Sequence, residues 1–143
     1  MLDAAPNLRT LIPGIDVDAA VSRHVYQGIS DMQVMAASGA LGRKVVIALG
    51  TNGTFTAGQL TQMVAIAAGR HLVLVTNHCP YCSWVPGNNA VIHAGCTSAR
   101  NCTVADWNAL ANENPGWFGS DGVHMAIGGA GGQAYADMIA GDL

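Results

Sequence analysis

Charge is what this sequence has least of. Lysine and arginine number 6 and aspartate and glutamate 9 among 143 residues, a charged fraction of 10% and a net charge of -3. The basic residues are scattered and no aromatic residues interleave with them, which excludes a nucleic-acid face built on phosphate contacts. Long apolar runs are missing too, for none approaches the about 18 residues that a membrane-spanning helix needs. The first residues, Met1 to Asn7, lack the basic-then-apolar order of a secretory signal. If the domain works outside the cytoplasm, something beyond these residues is expected to take it there.

What is abundant is apolar sequence, 50% of the chain, enough for one domain of this size to bury a substantial core. We expect a single domain over residues 1–143, with no internal repeat and no linker. The periodicity alternates. Ile15–Val17 reads as a short strand, Ala19–Ala37 as a helix with Ala20, Val21, His24, Val25 and Ile29 on one side, and Lys44–Leu49 as a buried β-branched strand. Thr56 is a helix N-cap, with the helix running to Ala68 and Gly69 as its stop. His71–Thr76 reads as a second buried strand, Asn88–Ala94 as a helix, Cys102–Ala105 as a strand and Gly132–Ala140 as the closing helix. Strands separated by helices predict an α/β fold, a three-layer α/β/α sandwich around a mostly parallel sheet. Met32, Met35 and Met63 fall on the predicted helices at core spacing rather than on a cofactor surface.

The four cysteines, Cys79, Cys82, Cys96 and Cys102, admit three readings. An even count in a small, weakly charged domain predicts two disulfides and an oxidising compartment, with three pairings open. Cys79-Pro80-Tyr81-Cys82 is also a tetrapeptide of thiol oxidoreductases, whose reactive thiolate sits at a helix N-terminus. Pro86 and Gly87 follow it closely and are expected to stop such a helix. Zinc is the third reading, but the five residues between Cys96 and Cys102 do not fit ribbon spacing, and no metal is assigned. The pattern Gly129-Ala130-Gly131-Gly132-Gln133-Ala134 mimics a dinucleotide loop, yet it follows no strand and no ribose-binding acid follows it. No cofactor is expected.

The chemistry concentrates at two short segments. Asp121-Gly122-Val123-His124 sets an acid three residues before a histidine on a tight turn. There it can hold the imidazole Nδ1–H and leave Nε2 free as a base. Gly50-Thr51-Asn52 lies just past the Lys44–Leu49 strand, outside the carboxyl end of a sheet where such folds bind ligands. The Asn52 amide can there meet a developing oxyanion, a contribution of about 3 kcal/mol. Asn-Gly and Asp-Gly are also ordinary turn dipeptides; it is their combination in this order that points to a site. His24, His71, His78 and His93 have no acid at useful local spacing, and Trp107 reads as core.

Ile15 to Arg23, Val46 to Gly53, Val104 to Trp107, Trp117-Phe118, Asp121 to His124 and Ala134-Tyr135-Ala136 occur in the order seen in SGNH (GDSL-type) domains. The chain resembles the extracytoplasmic domain of bacterial membrane acyltransferases, peptidoglycan O-acetyltransferases among them. The resemblance implies an SGNH or flavodoxin-like sheet and an acyl-serine mechanism. Its implied roles are Asp121 and His124 as catalytic pair, Asn52, Gly50 and the Ser22 backbone as oxyanion hole, and Thr51 and Trp117 on the substrate cleft. In that family the serine sits in a Gly-Asp-Ser-Val-Met segment ending the first strand. Met1 matches its methionine, so the serine is expected two residues upstream, with the first strand truncated. Ser22, Ser30, Ser38, Ser83, Ser98 and Ser120 all stand outside a Gly-Asp-Ser context.

The implied partners are a glycan or acyl-ester substrate and a membrane acyltransferase domain within a longer protein, on the outer side of a membrane. The oligomeric state leaves no trace in the sequence. A non-reacting relative that binds glycan or a partner is the alternative, followed by a thiol oxidoreductase using Cys79 and Cys82. The loop after the histidine, residues 124–132, is longer and richer in glycine than usual in the family, which predicts a looser hold on His124.

Overall fold

The computed structural model describes all residues, Met1–Leu143. Three parallel strands, β1 (Lys44–Ile47), β2 (His71–Val75) and β3 (Cys102–Ala105), lie side by side in that order. Their side chains alternate between two faces, as strand geometry requires. Val45, Ile47, Leu72, Leu74 and Cys102 enter one apolar cluster with α2 (Val25–Ala37), α3 (Ala57–Ala67) and α4 (Val85–Gly95). Val46, Val73, Val75 and Ala105 enter a second cluster with α1 (Ala5–Leu11), α5 (Trp107–Glu113) and α6 (Ala130–Asp142). The predicted three-layer α/β/α sandwich is therefore the observed one. Val73 is fully buried and Leu72 and Leu74 nearly so, each stabilising the fold by about 2 kcal/mol through loss of apolar surface to water.

Local chemistry sets most helix limits. Thr56 caps α3 as expected: its hydroxyl accepts from the Gln59 N–H at 3.2 Å, and Gln59 returns a bond to the Thr56 N–H at 2.9 Å. The helix predicted from Ala19 begins only at Val25. His24 and Gln27 form the capping box there. The preceding residues are drawn away because Arg23 bonds the Asp18 carboxylate at 2.7 Å and its carbonyl at 3.1 Å. The helix predicted from Asn88 starts at Val85, because Pro86 occupies its first turn, where a missing N–H costs nothing. No helix runs on from Cys79–Cys82, as expected; what was not expected is that Pro86 opens the next one. Sequence reading passed over α1 and α5; the latter is capped by Asp106, whose carboxylate accepts from the Ala109 N–H.

Ile15–Val17 forms no strand. These residues face β1 across a groove of about 440 Å³ lined by Val45, Ile47, Leu49, Met32 and Ile139. β1 bonds to β2 on one side only, so its other edge lies open in this groove, and Ile15–Val17 stands across the groove without pairing to it.

Candidate active site

The site lies beyond the carboxyl ends of the strands, where β1 and β2 release their chains. A cavity of about 410 Å³ is lined there by Met1, Ser22, Gly50, Thr51, Asn52 and His124, with Trp107 and Tyr135 deeper in. Sequence reading named Ser22, Gly50, Thr51, Asn52 and His124, and the fold brings all five to this one cavity.

Asp121 and His124 meet as their spacing implied. Nδ1 of His124 lies 2.7 Å from Asp121 Oδ2, while Oδ1 of the same carboxylate accepts from the Val123 and His124 N–H groups at 2.9 and 3.0 Å. These bonds from the His124 and Val123 amides, and then the imidazole, hold the Asp121 carboxyl well below the usual carboxylate range. Asp121 is therefore an anion at any physiological pH, and an anion on Nδ1 leaves Nε2 as the reactive nitrogen. Gly119 N–H donates to the His124 carbonyl at 2.8 Å, and Phe118 pairs with Met125 as an antiparallel bridge, closing the turn into a short loop.

The Asn52 loop is built by residues the sequence did not single out. Asn77 donates to the Leu49 carbonyl at 2.8 Å. Asn88 donates to the carbonyls of Gly50 at 2.9 Å and Gly53 at 2.8 Å, and accepts from the Phe55 N–H at 2.7 Å. Both asparagines are almost wholly buried, so these bonds satisfy groups that would otherwise be costly to bury. Trp84 Nε1 donates to Gly50 O at 3.1 Å and lies 3.3 Å from Thr51 O. Gly50 has φ +117°, and the Asn77 amide packs where its β-carbon would be, so no larger residue fits. Asn52 keeps a long bond of 3.5 Å to the Arg23 carbonyl, which leaves its amide available to a ligand.

Ser22 sits in the left-handed region at φ 57°, a conformation that costs a non-glycine residue of order 1 kcal/mol. Arg23, tied to Asp18 and Asp31 at 2.7 and 3.4 Å, holds that loop in place. Trp117 does not line the cavity. It stands one layer back, stacked on Trp107 at 5.9 Å, and Trp107 forms the wall instead. The glycine-rich loop also differs from expectation. A β-carbon on Gly131 would lie 2.8 Å from both Met125 Sδ and Trp117 Cβ, and one on Gly132 would lie 2.7 Å from Asn7 Oδ1. These glycines serve close packing, and Met125, next to His124, is further fixed by its N–H bond to Asp3 at 3.0 Å. The loop holds the histidine rather than loosening it.

All four cysteines are paired, Cys79 with Cys82 and Cys96 with Cys102. The disulfide reading is the one observed, and none of these sulfurs is left to serve as a zinc thiolate.

No family model matches the chain. It is 32% identical over 139 residues to the peptidoglycan O-acetyltransferase OatA of Listeria monocytogenes, covering 97% of this chain and 22% of that protein. It is 28% identical over 140 residues to the O-acetyltransferase OatA of Staphylococcus aureus, covering 97% of this chain and 23% of the relative. The chain thus spans about a fifth of the length of the curated relatives it matches. A solved structure, the C-terminal catalytic domain of Streptococcus pneumoniae peptidoglycan O-acetyltransferase A with a methylsulfonyl adduct, superposes with a TM-score of 0.89. At 29% identity it covers 99% of this chain and 86% of that one. The SGNH-like resemblance therefore holds in both sequence and fold over nearly the whole chain.

Proposed function

We propose that this chain is the acyl-transferring domain of a peptidoglycan O-acetyltransferase, passing an acyl group through a serine ester to a hydroxyl of a cell-envelope glycan. The observation that carries the reading is the His124 imidazole. It is anchored through Nδ1 to an ionised Asp121 at 2.7 Å, and it lines the same cavity as Asn52 and Ser22. The Listeria monocytogenes relative and the Streptococcus pneumoniae domain are peptidoglycan O-acetyltransferases, and a methylsulfonyl adduct is the kind of product an activated nucleophile yields.

In this reading the nucleophile is a serine two residues before Met1. Met1 lines both the cavity and the groove beside β1, and two residues of extended chain reach about 7 Å. A strand laid in that groove would complete the sheet and end at the cavity. His124 Nε2 takes the serine proton as Oγ attacks the acyl carbonyl, and Asp121 stabilises the imidazolium that forms. The oxyanion is met by the Asn52 amide and by backbone N–H groups at Ser22 and Gly50. Collapse releases the donor's leaving group, protonated by His124. A sugar hydroxyl, deprotonated by the same nitrogen, then takes the acyl group and frees the serine; water in its place gives an esterase. A membrane domain elsewhere in the longer protein would deliver the donor, with this domain on the outer side.

The test is to extend the chain N-terminally by Gly-Asp-Ser-Val and measure p-nitrophenyl acetate turnover and labelling by methanesulfonyl fluoride. The reading expects turnover and one sulfonyl adduct on the added serine, with turnover lost in His124→Ala. An extended, folded chain that neither turns over nor is labelled overturns it in favour of a non-reacting binding domain.

A further inference from the structure

One stretch of chain touches both halves of the site. Residues 77–89 leave β2 and enter α4, and through Asn77, Trp84 and Asn88 they hold the loop that carries Asn52. The same stretch reaches the Asp121–His124 turn. The His78 ring lies against Phe118, tilted by 31° with ring centres 4.7 Å apart. Pro80 lies directly against Gly122: a β-carbon there would sit 3.2 Å from Pro80 Cγ and 3.8 Å from the Tyr81 ring. Gly122, at φ +64°, is glycine for both reasons, the left-handed turn and the proline ring upon it.

The internal bonds of the turn fix its shape but not its place. Asp121 and His124 are 53% and 75% exposed, and the only polar partners found for their side chains lie within the turn itself. The turn is anchored at its far end through Met125, bonded to Asp3 and bridged to Phe118, and on the side of residues 77–89 it rests on Pro80 and His78. Pro80 is held in turn by the Cys79–Cys82 disulfide and by the Cys82 N–H bond to the Cys79 carbonyl at 3.2 Å.

We infer that the Cys79–Cys82 loop is a positioning clamp, in which Cys79, Pro80 and Cys82 set where His124 stands relative to the oxyanion loop. The roles concerned rest on the acyl-transfer reading above. The clamp makes sense of a disulfide that closes so short a loop at the mouth of the site, where a misplacement of about 1 Å costs about a hundredfold in rate.

Three variants test it. Pro80→Gly keeps the disulfide and removes the ring from Gly122; Cys79→Ser with Cys82→Ser opens the loop; Cys96→Ser with Cys102→Ser opens the other disulfide as a control. In the chain as it stands, hydrogen exchange at the Val123 and His124 amides is expected to quicken about tenfold in the first two and not in the control, after correction for global stability. In the serine-extended chain, kcat is expected to fall about ten- to a hundredfold in the first two with KM little changed. Equal exchange at these amides in all three variants overturns the clamp. Absence of turnover in every extended protein overturns the acyl-transfer reading instead, and the exchange comparison still decides the clamp. If the double serine variant does not fold, Pro80→Gly decides alone.

Discussion

The two disulfides stand at opposite ends of the sheet and close loops of similar size, with sequence separations of 3 and 6. Loop-closure entropy assigns each about 2 kcal/mol, so the cross-link alone does not distinguish them. Their neighbours do. Cys96 and Cys102 join the end of α4 to the start of β3 and belong to the larger apolar cluster. Cys79 and Cys82 lie outside both clusters, with Pro80 between them resting on the Asp121–His124 turn. The same chemistry therefore secures the core at the rear and orders the site at the front. The sharpest way to break that contrast is to remove the chemistry it is meant to serve. In the serine-extended chain, His124→Ala should lower p-nitrophenyl acetate turnover at least about a thousandfold, or about 4 kcal/mol. Its melting temperature should barely move, because the side chain is largely exposed. A variant that keeps most of its rate would place the base elsewhere.

Asn52→Ala should come next. Loss of one oxyanion donor costs about a hundred- to a thousandfold in kcat, and the loop should survive because Asn77 and Asn88, not Asn52, hold it. A rise in KM with kcat unchanged would make Asn52 a binding residue and shift the oxyanion role to backbone amides alone.

The front of the molecule was only half legible in the sequence. Asp121 and His124 could be read because their contact is local, three residues apart on one turn, and Asn52 because it follows a buried strand. Asn77, His78, Trp84 and Asn88 could not, since each acts across 28 residues or more of chain and carries no local pattern. The rear was clearer: β-branched runs gave all three strands, and Cys102–Ala105 was read to the residue. The misreadings share a cause. The freedom that Pro86 denies and that the glycines from Gly128 to Gly132 grant does not reveal their use here, which is set by position. Pro86 opens a helix, and Gly131 and Gly132 let the start of α6 approach Trp117 and Asn7. Ile15–Val17 has strand composition but stays unpaired across the groove from β1, and composition does not dictate pairing.

A third prediction sharpens the contrast from the rear. Cys96→Ser with Cys102→Ser should lower unfolding free energy by about 2 kcal/mol, measured by urea unfolding under non-reducing conditions. Turnover of the serine-extended form should stay within about twofold at a temperature where the variant remains folded, since both residues lie far from the cavity lining. A large loss of kcat in the folded variant would show that the two ends are coupled and that position does not separate their roles.

The smallest expected effect is a pH dependence carried by His78. Burial against Phe118 lowers its affinity for protons below that of a free histidine, against smaller opposing contributions from contacts with Asn108 and the Gly122 backbone. The folded value thus lies below the unfolded one, near 6.5. Between the two, the unfolded chain holds a proton that the folded chain does not, so stability is full above about 6.5 and is lost as pH falls from there towards the folded value. Asp121 contributes nothing to this change, because its carboxyl titrates far lower. Urea unfolding at pH 7.5 and 5.5 should show the acid loss in the parent chain and a smaller one in His78→Gln, which cannot take the proton. The loss should also appear locally, as faster exchange at the Val123 and His124 amides, because a charged His78 gains by leaving its buried place against Phe118 for water, away from the turn it supports. An acid loss of equal size in His78→Gln would move the effect to another histidine. Slower or unchanged exchange at the turn would mean that His78 stabilises the fold without ordering the site.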